Sequence, residues 1–242
     1  MRVVKIGGAV LDRLEEFDGI LEGDIITHGG SDYVDELSRR LGIEVKRLKS
    51  SSGVEFRYTP KEVLEIYLMA IMKANKRIVS LLQSRGINAI GLSGLDLGLI
   101  KAERKKLIKA IINGKKVAIR DDYSGIIREI NVKALRELSK VGVPVIAPIA
   151  MSEAYEPLNI DGDKLAHAIA LSLKADELVF LTDTAFLADG EIVEKIKVNE
   201  MEEFLPFAKG GMKRKLLMAK KSVESGVKKV IIQGLNGRTV IE

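Results

Sequence analysis

The sequence predicts an α/β fold with a mostly parallel sheet covered by helices on both faces. Three observations carry that prediction. Apolar runs too short for helices, at 3–6, 144–149, 177–182 and 227–233, are bounded by glycine, proline or polar residues, as buried parallel strands are. Segments with helical apolar spacing alternate with these runs. Glycine pairs stand at strand ends, where open α/β sheets bind ligands.

The elements follow in order. The run VVKI leads into Gly7-Gly8, and 24–27 leads into His28-Gly29-Gly30. In 31–42, Val34, Leu37 and Leu41 have helical spacing and Gly42 is a stop signal. Residues 45–58 read as a hairpin turning through 50–53. Pro60, welcome at a helix start, opens a long helix to about 85. A strand at 88–94 ends in a turn, and 115–130 reads as a second hairpin turning around 121–125. Asn131 caps a helix ending near Gly142, and 144–149 suits one buried strand between prolines. Residues 162–173 are helical, 177–182 is a strand, 212–225 is a lysine-laden helix and 227–233 is a last strand. A soft division falls near 150–175.

Composition removes several function classes. Of the 242 residues 46% are hydrophobic, enough for a large core, but only 5% are aromatic, so that core is aliphatic. With no cysteine and only two histidines, disulfide frameworks and thiolate or histidine-rich metal sites are excluded. There is no secretory signal and no long apolar stretch, so a cytoplasmic protein without a membrane segment is expected. The net charge of +5 fits a solvated lysine-rich surface or an anionic partner. Basic residues are not interleaved with aromatics and no nucleic-acid motif occurs, so nucleic acid is not the expected partner.

Lys5 is the first chemical signal. A lysine inside a buried strand needs a counter-charge or an anionic ligand. The glycines beside it let backbone N–H groups approach an anion, although each pair alone is also explained by a tight turn. Neither a GxxxxGK[ST] nor a GxGxxG pattern is present. In NIDGD, Asp161 and Asp163 both read as helix-capping or first-turn acids. Thr182 and Asp183 close a buried strand, and KGGMKRK places Lys215 beyond another glycine pair.

Taken together, VVKIGGAV, THGGSDYVDEL, FRYT, IGLSGLDLGLI, VIAPIA, NIDGDKLA, LVFLTDT and GGMKRKLLMA stand in the order of the amino-acid kinase family. The chain resembles that family over almost its whole length. The resemblance is strongest to the N-acetylglutamate kinase branch. Within the branch it points to archaeal and thermophile enzymes that phosphorylate 2-aminoadipate or glutamate on a small acidic amino-group carrier protein, in lysine or arginine biosynthesis.

The resemblance implies a three-layer α/β/α sandwich around a mainly parallel sheet, forming one domain over 1–242. Its acceptor-binding lobe would span about 1–170 and its ATP-binding lobe about 171–242. It implies an ATP- and Mg²⁺-dependent kinase that makes an acyl phosphate, with no metal site built from protein ligands, and a homodimer to which the long helix contributes. Lys5 and Lys215 would stabilise the transferring phosphoryl group, and Asp163 would organise both. Gly8, Gly29 and Gly30 would offer N–H groups to phosphoryl and acceptor. Arg57 and Asn159 would bind the acceptor, and Thr182, Asp183 and Ser93 would lie on the nucleotide side. Two positions depart from the branch: Ser31 replaces a third glycine, and Asp161 replaces an asparagine. An extra carboxylate suits a small free acid poorly, and the basic balance suits an acidic carrier. A kinase of free N-acetylglutamate is the alternative.

Overall fold

In the computed structural model, which describes residues 1–17, 19–50, 53, 55–112 and 114–242, alternation along buried strands divides the molecule into layers. The first half of the chain runs β1 (Arg2–Ile6), β2 (Ile25–His28), α1 (Ser31–Arg40), β3 (Arg47–Ser50), β4 (Glu55–Arg57), α2 (Lys61–Ser84), β5 (Ala89–Ser93), β6 (Ile100–Arg104), β7 (Ile108–Ile112) and β8 (Lys115–Ile119). It continues through β9 (Gly125–Ile130), α3 (Val132–Val141), β10 (Val143–Ala147), β11 (Ile149–Met151), β12 (Pro157–Asn159), α4 (Gly162–Leu173) and β13 (Glu177–Leu181). The remainder is β14 (Leu187–Ala188), β15 (Glu191–Ile192), β16 (Lys195–Ile196), α5 (Met201–Phe204), α6 (Gly210–Glu224), β17 (Lys229–Gln233) and β18 (Arg238–Ile241).

The central sheet has eight strands in the order β16-β18-β17-β13-β1-β2-β10-β5. The strands from β17 to β5 are parallel, and β18 returns antiparallel along β17. Val3, Ile25, Phe180 and Ile232 face one core, shared with Leu165 and Ile169 of α4 and Leu216 of α6. Val4, Ile26, Val145 and Val179 face the other, shared with Val34 of α1 and Ile66, Ile71 and Ile78 of α2. Each such side chain contributes roughly 1.5–3 kcal/mol by leaving water. The result is the expected α/β/α sandwich. Lys5 has the parity of Val3, so it points to the face covered by α4.

Two expectations are corrected. Residues 115–130 are not one hairpin: β8 pairs with β7, while β9 pairs with β6 in a different sheet. The cause is Asp122, which is 0% exposed. Its carboxylate accepts the N–H groups of Thr59 at 2.8 Å and Ser124 at 2.7 Å, so the chain is drawn across to the β4–α2 connection instead of turning back. The apolar run 144–149 is likewise two strands. It breaks at Pro148, which has no N–H for a ladder, and β10 and β11 join different sheets. The expected 45–58 hairpin forms from β3 and β4, but residues 51 and 52 of its proposed turn lie outside the described residues.

Asp122 makes a testable claim on stability. Asp122→Ala leaves two buried N–H donors without an acceptor. It is expected to destabilise the fold by about 2–4 kcal/mol, read from the shift of the guanidinium unfolding midpoint.

Candidate active site

The site forms where β1, β2 and β13 end and helices α1, α4 and α6 begin. Lys5, 7% exposed, reaches the first turn of α4, where its Nζ lies 2.7 Å from Asp163 Oδ1. Among the described residues that oxygen receives no well-aligned hydrogen bond, so the attraction is chiefly coulombic. The two candidate acids have separate tasks. Asp161 is the cap: one of its oxygens accepts the N–H groups of Asp163 at 3.0 Å and Lys164 at 2.9 Å. Asp163 is thereby left to face Lys5. Gly162 lets the start of α4 approach the end of β2, because a Cβ there would stand 3.0 Å from the His28 carbonyl oxygen; Lys5 Cε, at 3.5 Å, would be in ordinary contact.

Electrostatics join Lys215 to this pair. Burial pushes the Asp163 carboxyl up, but Lys5, then Lys215 and Arg214, outweigh it and hold the group below the usual carboxylate range. Burial lowers the Lys215 ammonium; Asp163 and Asp183 pull it back up and Lys5 and Arg214 repel it, with a net lowering. Among the described residues Lys215 forms no ion pair, so Asp163 grips Lys5 directly and acts on Lys215 only through space. Two ammonium groups around one carboxylate leave a positive site open to a polyanion.

The glycine corners close the other side. Gly30 precedes α1 with φ of +153°, a conformation open to glycine. A Cβ on Gly8 would lie 3.5 Å from the Gly30 nitrogen, so the two corners face one another. The N–H groups of Gly8 and Gly30 have no acceptor among the described residues. Gly29 is different from expectation. Its N–H is bound to the Ile6 carbonyl at 2.8 Å, because the β1–β2 ladder continues one step further. Its role is steric, since a Cβ would come 3.1 Å from Gly8 N and 3.7 Å from Lys5 Nζ.

The expected acceptor residues meet at the same end. Arg57 donates through one nitrogen to Asp35 at 2.5 Å and through the other to the Ser31 hydroxyl at 2.7 Å and carbonyl at 3.1 Å. Arg47 donates to the same hydroxyl at 2.9 Å and to Asp35 at 2.6 Å. Asn159 joins through Thr59: its amide donates to Thr59 Oγ1 at 3.0 Å, and that hydroxyl donates to the Arg57 carbonyl at 3.0 Å. On the opposite side, Thr182 Oγ1 donates to Asp183 at 2.9 Å, and Gly7 N–H donates to the Leu181 carbonyl at 2.8 Å. Ser93 is not brought there. It ends β5, the far edge strand, and binds Asp96 locally.

Several contributors escaped the sequence reading. His167 Nδ1 lies 2.8 Å from Ser222 Oγ, tying α4 to α6. His167 is one turn beyond Asp163, and Ser222 two turns beyond Lys215, so this buried link sets the spacing of the helices that carry them. Thr59, His28 and Asn75 were also missed. A buried asparagine within the apolar stripe Ile71, Ala74, Ile78 is the signal that would have found Asn75.

Comparison with known proteins agrees with this geometry. The model of the amino acid kinase family matches residues 1–234. A protein of Pyrococcus abyssi named as a LysW-aminoadipate/LysW-glutamate kinase is 57% identical over 245 residues, covering 100% of both chains. One of Saccharolobus solfataricus with the same name is 43% identical over 251 residues, covering 100% of this chain and 95% of its own. Among solved structures, N-acetylglutamate synthase from Neisseria gonorrhoeae, complexed with coenzyme A and N-acetyl-glutamate, superposes with a TM-score of 0.79 at 22% identity. The match covers 99% of this chain and 58% of that one, and shows a shared fold.

The ion pair predicts a pH signature. A carboxyl held below its unfolded pKa of about 3.9 contributes stability above that pH and loses it as pH falls through the folded pKa. The stability difference between wild type and Asp163→Asn is therefore expected to be flat from about pH 5 to 8 and to shrink below about pH 4, measured by urea unfolding across pH.

Proposed function

This chain belongs to the amino acid kinase family, and we propose that it transfers the γ-phosphoryl group of ATP to the side-chain carboxylate of 2-aminoadipate or glutamate borne on a small acidic carrier protein. The product is an acyl phosphate; the full-length relatives are named as LysW-aminoadipate/LysW-glutamate kinases, and the family resemblance implies a setting in lysine or arginine biosynthesis. The observation that carries the chemistry is the Lys5–Asp163 pair set beside two unpartnered glycine N–H groups with Lys215 in electrostatic range.

In the transfer, a carboxylate oxygen attacks the γ-phosphorus while the bond to the bridging oxygen breaks and ADP leaves. The nucleophile is already ionised at neutral pH, so no general base is required. The reaction then depends on positioning and charge stabilisation. Lys5 and Lys215 stabilise charge on the transferring group, Gly8 and Gly30 donate to its oxygens, and Asp163 keeps Lys5 in place. Thr182 and Asp183 serve the nucleotide. Among the described residues no cluster of three acidic or histidine side chains is available to a metal. Asp163 and Asp183 are the single carboxylates that would hold a Mg²⁺ ion, which would neutralise phosphate charge when bound with ATP.

An acceptor lobe of about 1–170 and a nucleotide lobe of about 171–242 fit the positions of Arg57 and Asn159 against Thr182 and Lys215, within one 242-residue domain. A cytoplasmic homodimer through α2 fits the exposure of Met69, which is 53% exposed beside Leu68 and Met72, both half-buried against the core. No described helix is long and apolar enough to cross a membrane. The carrier is favoured over free N-acetylglutamate by exposed Lys46, Arg47 and Lys49 on the β3 side of the site. Asp161 does not decide between them, because its carboxylate is used to cap α4.

Three measurements test this reading. Lys5→Ala and Lys215→Ala are each expected to lower kcat about 100-fold or more, with a small change in KM for ATP; near-normal turnover in either overturns the assignment. ADP release is expected with a carrier-borne aminoadipate or glutamate and to fall steeply with salt, since exposed charges are screened over about 8–10 Å. Efficient, salt-insensitive use of free N-acetylglutamate with the carrier inert would establish the alternative. Arg57→Lys keeps charge but loses the fork, and is expected to raise KM for the acceptor alone.

A further inference from the structure

Beneath the glycine corner lies a buried polar network that the transfer chemistry does not use. His28 is 0% exposed at the end of β2. Its Nδ1 lies 2.7 Å from the carbonyl oxygen of Gly29, and its Nε2 lies 3.3 Å from Asn75 Nδ2. Asn75, also 0% exposed, sits in the middle of α2 and directs the same nitrogen to the carbonyls of Val145 at 2.9 Å and Leu92 at 3.3 Å. Its Oδ1 has no hydrogen-bond partner among the described residues.

These contacts allow one protonation pattern. A carbonyl oxygen can only accept, so Nδ1 must carry a proton to stand 2.7 Å from Gly29 O. Burial, with Lys5 adding repulsion, pushes the ring down to about 4, so it is neutral at assay pH and Nε2 is an acceptor. Asn75 must then present its NH₂, which also answers the two strand carbonyls. The opposite flip would set its oxygen against three acceptors. The orphaned Oδ1 follows from this arrangement, and Gly91 makes room for it, since a Cβ there would come within 2.3 Å.

We infer that His28, locked as the Nδ1–H tautomer by Asn75, is a positioning residue that fixes the Gly29–Gly30 peptide and so aims the Gly30 N–H at the transferring group. Gly29 is pinned at both ends: its N–H to Ile6 and its carbonyl to His28. The peptide between Gly29 and Gly30 is therefore held in one plane, and its N–H faces the Gly8 corner. Asn75 links that plane to α2, β5 and β10. The inference rests on the phosphoryl-transfer reading for its kinetic consequence, and on geometry alone for the tautomer.

The test has two arms. In ¹⁵N-detected imidazole spectra of the wild-type protein, with signals assigned through His167→Gln, His28 is expected to show a protonated Nδ1 and a bare Nε2 at pH 7, without titrating between pH 5.5 and 8 as an ordinary histidine near about 6.5 would. An Nε2–H tautomer or an imidazolium overturns the proposal whatever the variants do. In the kinetic arm, His28→Asn can place an amide N–H where Nδ1–H was, whereas His28→Gln places it at the Nε2 position. The asparagine variant is expected to keep kcat within about threefold and the glutamine variant to lose about 10- to 100-fold, the scale of a misplaced catalytic group, with KM for ATP unchanged in both. Equal kcat in the two folded variants overturns the positioning role. Should wild type release no ADP with any acceptor, the kinase reading fails instead, and the spectra still decide the tautomer.

Discussion

The ion pair between Lys5 and Asp163 is the contact on which the arrangement of the site depends. A buried ammonium in the central strand of a sheet is tolerable only beside a counter-charge, since an unmatched charge there is disfavoured by several kcal/mol. That requirement fixes the start of α4 against the end of β1. It also accounts for Asp161, which caps the helix so that Asp163 need not. One electrostatic demand thus sets a strand end, a helix start and a cap.

The sheet carries that local geometry across the molecule. Strands β17, β13, β1, β2, β10 and β5 run parallel, so their carboxyl ends lie along one rim. Opposed parity then gives each end a side: Lys5 turns to the α4 face and His28 to the α2 face. The two faces are tied to the site by different means. On one, His167 and Ser222 bridge the helices that bear Asp163 and Lys215; on the other, Asn75 bridges α2 to His28. Single buried hydrogen bonds suit this task because an aliphatic core packs well but leaves helices free to slide by small distances, whereas a buried polar pair has one register.

What could be read from the sequence divides along the same line. Buried strands and helices were legible because burial imposes period and length: β1, β2, α2, α4 and β13 fall within a residue or two of their expected limits. Lys5 was legible because it breaks an apolar run. The two failures share a cause. Whether 115–130 closes as a hairpin, and whether 144–149 is one strand, depends on partners distant in sequence: Thr59 for Asp122 and the second sheet for β11. Gly29 was misjudged for the same reason, as its N–H is taken by a ladder partner on β1. Spacing alone reads Asp161 and Asp163 as the same kind of acid, and only the resemblance singled out Asp163; the structure separates them, since Asp161 caps α4 and Asp163 faces Lys5.

Under the proposed function, Arg57 shows how such a site stays stable before an acceptor arrives. Its side chain is only 7% exposed, so its charge needs a partner at all times. Asp35 supplies one: burial pushes that carboxyl up, but Arg57 and Arg47 outweigh burial and keep it ionised. An incoming carboxylate on the fork would therefore exchange one carboxylate for another, with affinity arising from the difference between two ion pairs. Ser31 adds a hydroxyl that holds both arginines to the N-terminus of α1. The arginines are thereby preorganised at the mouth of the glycine corner. A fork already held in place gains orientation from its acceptor more than strength. That favours an acceptor whose remaining affinity comes from elsewhere on the surface, as a protein-borne amino acid's would.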